Sequence, residues 1–291
     1  MEFPQLITQL VLPISLALMM FSLGLSLTVN DFRRIVISPR PALVGIGMQL
    51  LLLPVIAGLL IVVVGWFMPL SHELILGLLI LAACPGGATS NVISHLSGGD
   101  GALSVSMTAV VSLLVPFILP FSLALQVSWW SEVISIELPL MKTVMQLLVV
   151  TVFPVLLGMA SRWHWTQAVL SIELVVCKLS TLLFILLVLV LMYVQWPQLS
   201  EMGIGVAALC LSLCLCSMLA AFFIARWQGF DDKAVKTLSI EVGIQNAGTG
   251  MFIAAVVLNQ PDLALIPLMY GLVMNIPALA LIAKQAVNES V

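Results

Sequence analysis

Glu241-Val242-Gly243-Ile244-Gln245-Asn246-Ala247-Gly248-Thr249-Gly250 is the stretch that decides the architecture of this chain. It is a polar, glycine-rich island set within an apolar run, and it begins with a carboxylate. An ionised group at membrane depth costs about 3 kcal/mol or more unless something compensates it. No Lys or Arg lies at a comparable depth in any other apolar run. The missing positive charge is therefore expected to come from solution, as a bound cation or a proton, and the island points to transport.

The rest of the composition agrees. Of 291 residues, 62% are apolar and only 8% are Asp, Glu, Lys or Arg. Apolar runs of about 20 residues, each long enough to span a bilayer, recur along the chain. The polar connections leave no room for a soluble domain, so a single transmembrane domain over 1–291 is expected. The N-terminus lacks a basic region and a cleavage site, and its first apolar segment reads as a span. Cys84, Cys177, Cys210, Cys214 and Cys216 match no zinc or disulfide spacing and read as packing residues.

The fold class expected is an all-α membrane protein with about nine spans, at approximately 5–28, 40–67, 73–97, 102–126, 139–161, 171–195, 203–226, 234–258 and 262–284. Arg33, Arg34, Arg40, Arg162, Arg226, Lys233, Lys236 and Lys284 fall at one side, with Lys178 close enough to snorkel there. Lys142 alone falls at the other. By the positive-inside rule the C-terminus is cytoplasmic and the N-terminus outside. The outer connection Val127-Ser128-Trp129-Trp130-Ser131-Glu132 carries a tryptophan pair suited to the membrane interface.

Two spans are interrupted. The third runs into Cys84-Pro85-Gly86-Gly87-Ala88-Thr89-Ser90-Asn91, where Pro85 removes a backbone donor and the two glycines permit non-helical torsions. The eighth breaks near Gly243. Freed backbone groups need partners away from lipid, so both breaks are expected to be buried or to line a cavity. Each broken helix is the third of four in sets whose orientations in the membrane are opposite. That is the pattern of inverted repeats, in which interrupted helices at matching positions point to a transporter binding site.

Oxygen ligands cluster around these breaks. Ser104 and Thr108 share one face of the fourth span, Ser90 and Asn91 follow the first break, and Gln49 is the lone amide of the run 44–64. Glu241 and Gln245 bracket the second break, where unwound carbonyls such as those of Val242 and Ile244 become free to coordinate. The helix restarting after Gly87 directs its N-terminus toward the membrane centre and favours an anion there. The amides of Ala88 and Thr89 and the side chain of Asn246 are thus expected to hold a carboxylate.

At Cys84–Val92, at Ala102-Leu103-Ser104-Val105 with Thr108, and at Glu241–Asn246, the chain resembles the bile acid:sodium symporter family, along essentially its whole length. The resemblance implies a panel domain (about 5–28, 139–161 and 171–195) and a core domain (about 40–67, 73–126 and 203–284), with the two broken helices crossing at the midplane in the core. It implies one sodium site from Ser90, Asn91, Ser104, Thr108 and Glu241. A second would comprise Gln49, Glu241, Gln245 and the carbonyls of Val242 and Ile244. The function it implies is sodium-coupled import of an organic anion, a bile acid or a smaller carboxylate such as pantoate, across a bacterial inner membrane. No cofactor or metal besides sodium, and no nucleic acid, is expected. Proton coupling through Glu241 is an alternative, though a proton carrier needs no coordination cage. Export of metalloid oxyanions is another, but Cys84-Pro85-Gly86-Gly87 fits the symporter pattern better. An enzyme would need a second acid, base or nucleophile at the depth of Glu241, and the sequence offers no such constellation.

Overall fold

The computed structural model describes residues 6–37, 39–130, 136 and 138–290. Ser131 and Glu132 of the tryptophan-bearing connection lie outside them. Trp129 ends its helix 65% exposed, as an interfacial residue should.

The described chain is helical throughout its length, with α1 (Ile7–Ser26), α2 (Val29–Ile37), α3 (Pro39–Gly65), α4 (His72–Ala83), α5 (Ala88–Leu96) and α6 (Gly101–Trp129) forming its first half. The second half comprises α7 (Leu140–His164), α8 (Thr166–Val194), α9 (Trp196–Trp227), α10 (Asp232–Gly243), α11 (Ala247–Val257), α12 (Leu265–Val273) and α13 (Asn275–Ser290). Seven of the helical stretches are long and apolar enough to cross a membrane, the last of them joining α12 to α13, and the molecule is an integral multi-pass membrane protein. The other two expected spans are the interrupted ones, each represented by two short helices, α4 with α5 and α10 with α11.

Two turns at the basic end share one design. Gly98 at φ +73° precedes Asp100, whose carboxylate accepts from Ala102 N and Leu103 N to start α6. Gly229 at φ +75° precedes Asp231, which accepts from Ala234 N to start α10. Glycine takes the left-handed torsion without a Cβ clash, and each aspartate cap contributes about 1 kcal/mol. Asp100 is thus a helix cap. The expected start of the seventh span at 203 also has a cause: Gly203, at φ +70°, divides α9 there.

The amphipathic helix α2 is the one element the apolar pattern does not foretell. It is too short and polar to register as a span, and Asp31 fixes its start by accepting from Thr28 N and Thr28 Oγ1, each at 2.7 Å.

α1 packs chiefly on α7 and α8, while α4, α5, α6, α9, α10 and α12 pack among themselves. Gly24 and Gly158 permit the close backbone approach of α1 to α7, since a Cβ on Gly24 would lie 2.2 Å from the Val155 carbonyl oxygen. The main apolar core runs through the second group and into α3 and α11, with Leu53, Leu78, Ile80, Met107, Leu238 and Ile253 essentially inaccessible. The two helix breaks sit inside that group and are buried, as the sequence requires.

Candidate functional site

The two breaks cross and pair with each other. α4 ends where Cys84 turns extended, α10 ends where Ile244 turns extended, and Gly86 and Gln245 form an antiparallel backbone bridge. Asn246 N donates to Pro85 O at 2.8 Å within it. Side chains close the remaining end of α10. Gln49 Nε2 donates to Glu241 O at 2.8 Å, Gln245 Nε2 to Val242 O at 2.6 Å and Tyr270 Oη to Gly243 O at 2.6 Å, where Cys214 Sγ also donates at 3.2 Å. In hydrocarbon each unpaired group would cost several kcal/mol, so this network is what permits a helix to stop at membrane depth.

Two expectations change here. The Val242 carbonyl already accepts from Gln245 Nε2, which leaves it one lone pair to coordinate with. Neither glycine of the first break takes a positive φ, so the freedom of torsion expected there is not used. Gly87, at φ −106° and ψ 167°, has ordinary extended backbone, and a Cβ on it would meet Thr89 Oγ1 at 3.4 Å and Asn246 at 3.5 Å. A Cβ on Gly86 would stand 2.8 Å from Gln49 Nε2 and 3.0 Å from Glu241 Oε2. The adjacent glycines thus border two different groups. Gly243, expected at the second break, is the last residue of α10, and a Cβ there would lie 2.1 Å from Met218 Cγ.

Glu241 is wholly inaccessible, and among the described residues its carboxylate has no cationic partner. Oxygen atoms surround it instead. Ser104 Oγ contacts Glu241 Oε1 and lies 2.7 Å from Asn91 Oδ1. Thr108 Oγ1 lies 3.0 Å from Asn91 Oδ1 and 3.5 Å from Glu241 Oε2. Four oxygen–oxygen approaches therefore share the two hydroxyl protons of Ser104 and Thr108. Such crowding of acceptors suits a small hard cation, which binds several oxygens at once. Ser90, also fully buried, sits at the start of α5 with its hydroxyl donating to Gly87 O at 2.6 Å.

On the other flank, Gln49 and Gln245 are 2% and 0% exposed, and each spends its amide NH2 on an α10 carbonyl. Their Oε1 atoms have no hydrogen-bond partner among the described residues. A buried acceptor left unpaired costs about 1–3 kcal/mol. The structure thus brings together Ser90, Asn91, Ser104, Thr108 and Glu241 on one side and Gln49, Glu241, Gln245 and the Val242–Ile244 backbone on the other.

The residues assigned from sequence to an anion, Ala88, Thr89 and Asn246, line a neighbouring cavity of 340 Å³, which Gln245 also borders and which reaches Phe184 of α8 and Leu268 of α12. None of the described lining residues is charged. Gly87 caps α5 without a side-chain bond, leaving the first amides of that helix open, whereas Asn246 Oδ1 caps the restarted α11 by accepting from Thr249 N at 3.0 Å.

Tyr270 is the participant that the sequence reading missed. It is wholly buried and holds the Gly243 carbonyl, and its signal was present: one of only two tyrosines in the chain stands inside an apolar run.

A profile described as the Sodium Bile acid symporter family matches residues 13–202. The Uncharacterized sodium-dependent transporter YocS of Bacillus subtilis (strain 168) is 28% identical over 256 residues, which is 87% of this chain and 77% of that protein. The Ileal sodium/bile acid cotransporter of Oryctolagus cuniculus is 28% identical over 90% of this chain and 75% of its own length. The Probable sodium/metabolite cotransporter BASS2, chloroplastic, of Oryza sativa subsp. japonica is 28% identical over 86% of this chain and 58% of its own.

Proposed function

Because the chain belongs to the sodium bile acid symporter family, we propose that it uses a sodium gradient to import a small organic anion by alternating access. The observation that carries this reading is the buried Glu241 carboxylate, surrounded by oxygens that outnumber the protons available to them. One sodium would take Ser90, Asn91, Ser104, Thr108 and Glu241. A second would take the unpaired Oε1 atoms of Gln49 and Gln245 with Glu241 and the backbone at Val242 and Ile244. The anion would take the open amides of Ala88 and Thr89 and the Asn246 side chain, in a cavity without a cationic residue among its described lining. With no lysine or arginine to attract it, its affinity depends on the nearby sodium charge, and this is the physical basis of coupling. Bile acids and pantoate-like carboxylates both belong to the substrate class proposed.

In this reading each broken pair crosses as one unit, giving nine spans in inverted repeats, with α1, α7 and α8 as panel and the remaining spans as core. The N-terminus lies outside and the C-terminus inside the bacterial inner membrane. Ile7, Leu12, Leu187 and Leu191 pack against Met251, Ala255 and Leu268 at the expected outer end. Gln9 Nε2 bonds Asn259 Oδ1 at 3.0 Å beside them. This contact supports a state closed to the outside.

Uptake of a panel of radiolabelled carboxylates into proteoliposomes, with imposed sodium or proton gradients, tests the function. Sodium-driven accumulation is expected. Accumulation driven by a pH gradient without sodium would make Glu241 a proton carrier instead. Labelling of single cysteines near each terminus with an impermeant reagent tests the orientation, and reaction at the C-terminal site alone in intact cells would reverse it.

A further inference from the structure

A second feature lies apart from the crossing, where the basic ends of α9, α10 and α13 meet. A cavity of 310 Å³ there is lined by Arg226, Lys236 and Lys284 with one carboxylate, Asp232. Arg226 pairs with Asp232 at 2.7 Å, but both side chains are more than half exposed and such a pair is weak. Lys236 donates to two neutral oxygens, Ser97 O at 2.6 Å and Gln285 Oε1 at 3.0 Å, and keeps its charge unneutralised. Lys284 is exposed and reaches no carboxylate among the described residues. Among the described residues, three cations thus face one anion.

A longer cavity of 510 Å³ continues from this one and shares Phe222, Ser239, Leu281 and Lys284 with it. Its walls are apolar, with Leu215, Leu219 and Ile276 at 40%, 55% and 58% exposure. The basic end lies at the helix termini, and the apolar end runs back along α9 and α13. One groove therefore changes from cationic to hydrocarbon-like along the membrane normal.

We propose that this groove is a specific site for one anionic phospholipid. Its phosphate lies among Arg226, Lys236 and Lys284, and an acyl chain runs along Leu215, Leu219 and Ile276. Complementarity of charge at one end and of hydrophobicity at the other selects a lipid over free phosphate and over a neutral lipid. Basic recesses between spans at a membrane surface favour anionic headgroups for the same reason.

Native mass spectrometry of the detergent-purified chain, titrated with phosphatidylglycerol or with phosphatidylcholine of the same chains, tests it. One phosphatidylglycerol should be retained in preference to phosphatidylcholine. Lys284→Gln, which alters an exposed side chain and no internal bond, should weaken that binding about fivefold, the scale of one basic residue at the membrane surface. Arg226→Gln combined with it should weaken it further. Equal retention of the two lipids, or binding unchanged in the double variant, would overturn the proposal. So would full competition by glycerol phosphate at the same concentration, which would make the site one for a soluble anion. A dimer mass lost on Leu219→Trp substitution would assign the groove to a second copy of the chain.

Discussion

Gln49 Nε2 donates to the Glu241 carbonyl oxygen at 2.8 Å and stands 3.5 Å from Oε2 of the same residue. One side chain of α3 thereby closes the open end of α10 and flanks its carboxylate, while its own Oε1 is left unpaired. Helix termination and the proposed ion binding thus depend on one side chain at this position. The same residues that satisfy the broken backbone present the oxygens proposed to hold sodium, and this shared use shapes the predictions below.

Glu241→Ala should abolish sodium-driven uptake, because it removes the charge shared by both proposed sites. Glu241→Gln keeps the shape and should be nearly as damaging. Accumulation by reconstituted protein measures both, and normal uptake by a correctly inserted Gln variant would show that the charge is not a shared ligand.

Asn91→Ala and Thr108→Ala should each lower sodium affinity by about tenfold, a loss of about 1.4 kcal/mol, and less than Glu241→Ala. Each removes a neutral oxygen from the crowded group, in which Thr108 Oγ1 and Asn91 Oδ1 are 3.0 Å apart. Sodium titration of thermal stability in detergent reads the midpoint. Unchanged midpoints in both variants would remove this group from the sodium reading.

Gly86→Ala and Gly87→Ala should separate the two ligands. The added carbon at 86 would press on Gln49 Nε2 and Glu241 Oε2, at 2.8 and 3.0 Å, and should impair sodium binding first. At 87 it would meet Thr89 and Asn246 at ordinary contact distance, so the fold should tolerate it and substrate affinity should bear the effect. Binding isotherms for both ligands check this, and a larger sodium defect in Gly87→Ala than in Gly86→Ala would reverse the assignment.

Tyr270→Phe should destabilise the protein by about 1–2 kcal/mol, the cost of removing a donor from a buried carbonyl. Cys214 Sγ remains near Gly243 O and should limit the loss, so Tyr270→Phe with Cys214→Ala should cost more than either change alone. Thermal unfolding of the single and double variants provides the measurement. A double variant as stable as the native chain would mean that the end of α10 needs neither donor.

The sequence by itself determined the membrane class, the approximate positions of the long helices and the places where two helices break. These are local properties: an apolar run is long enough to span a bilayer or it is not, and Pro85 or a glycine cluster interrupts a helix wherever it lies. The clustering of Ser104 with Thr108 was equally legible, since a helix brings residues four apart onto one face. The tertiary structure alone decided that Gly86 pairs with Gln245, that Tyr270 closes the end of α10, that Gln245 takes the Val242 carbonyl, and that a Cβ at position 86 would crowd the Glu241 carboxylate. Each of these joins residues distant in the chain, and no periodicity encodes which distant donor will reach a given freed carbonyl. That choice follows from packing, because in a medium without water every backbone group released by a break must find its partner among the side chains that the fold brings beside it.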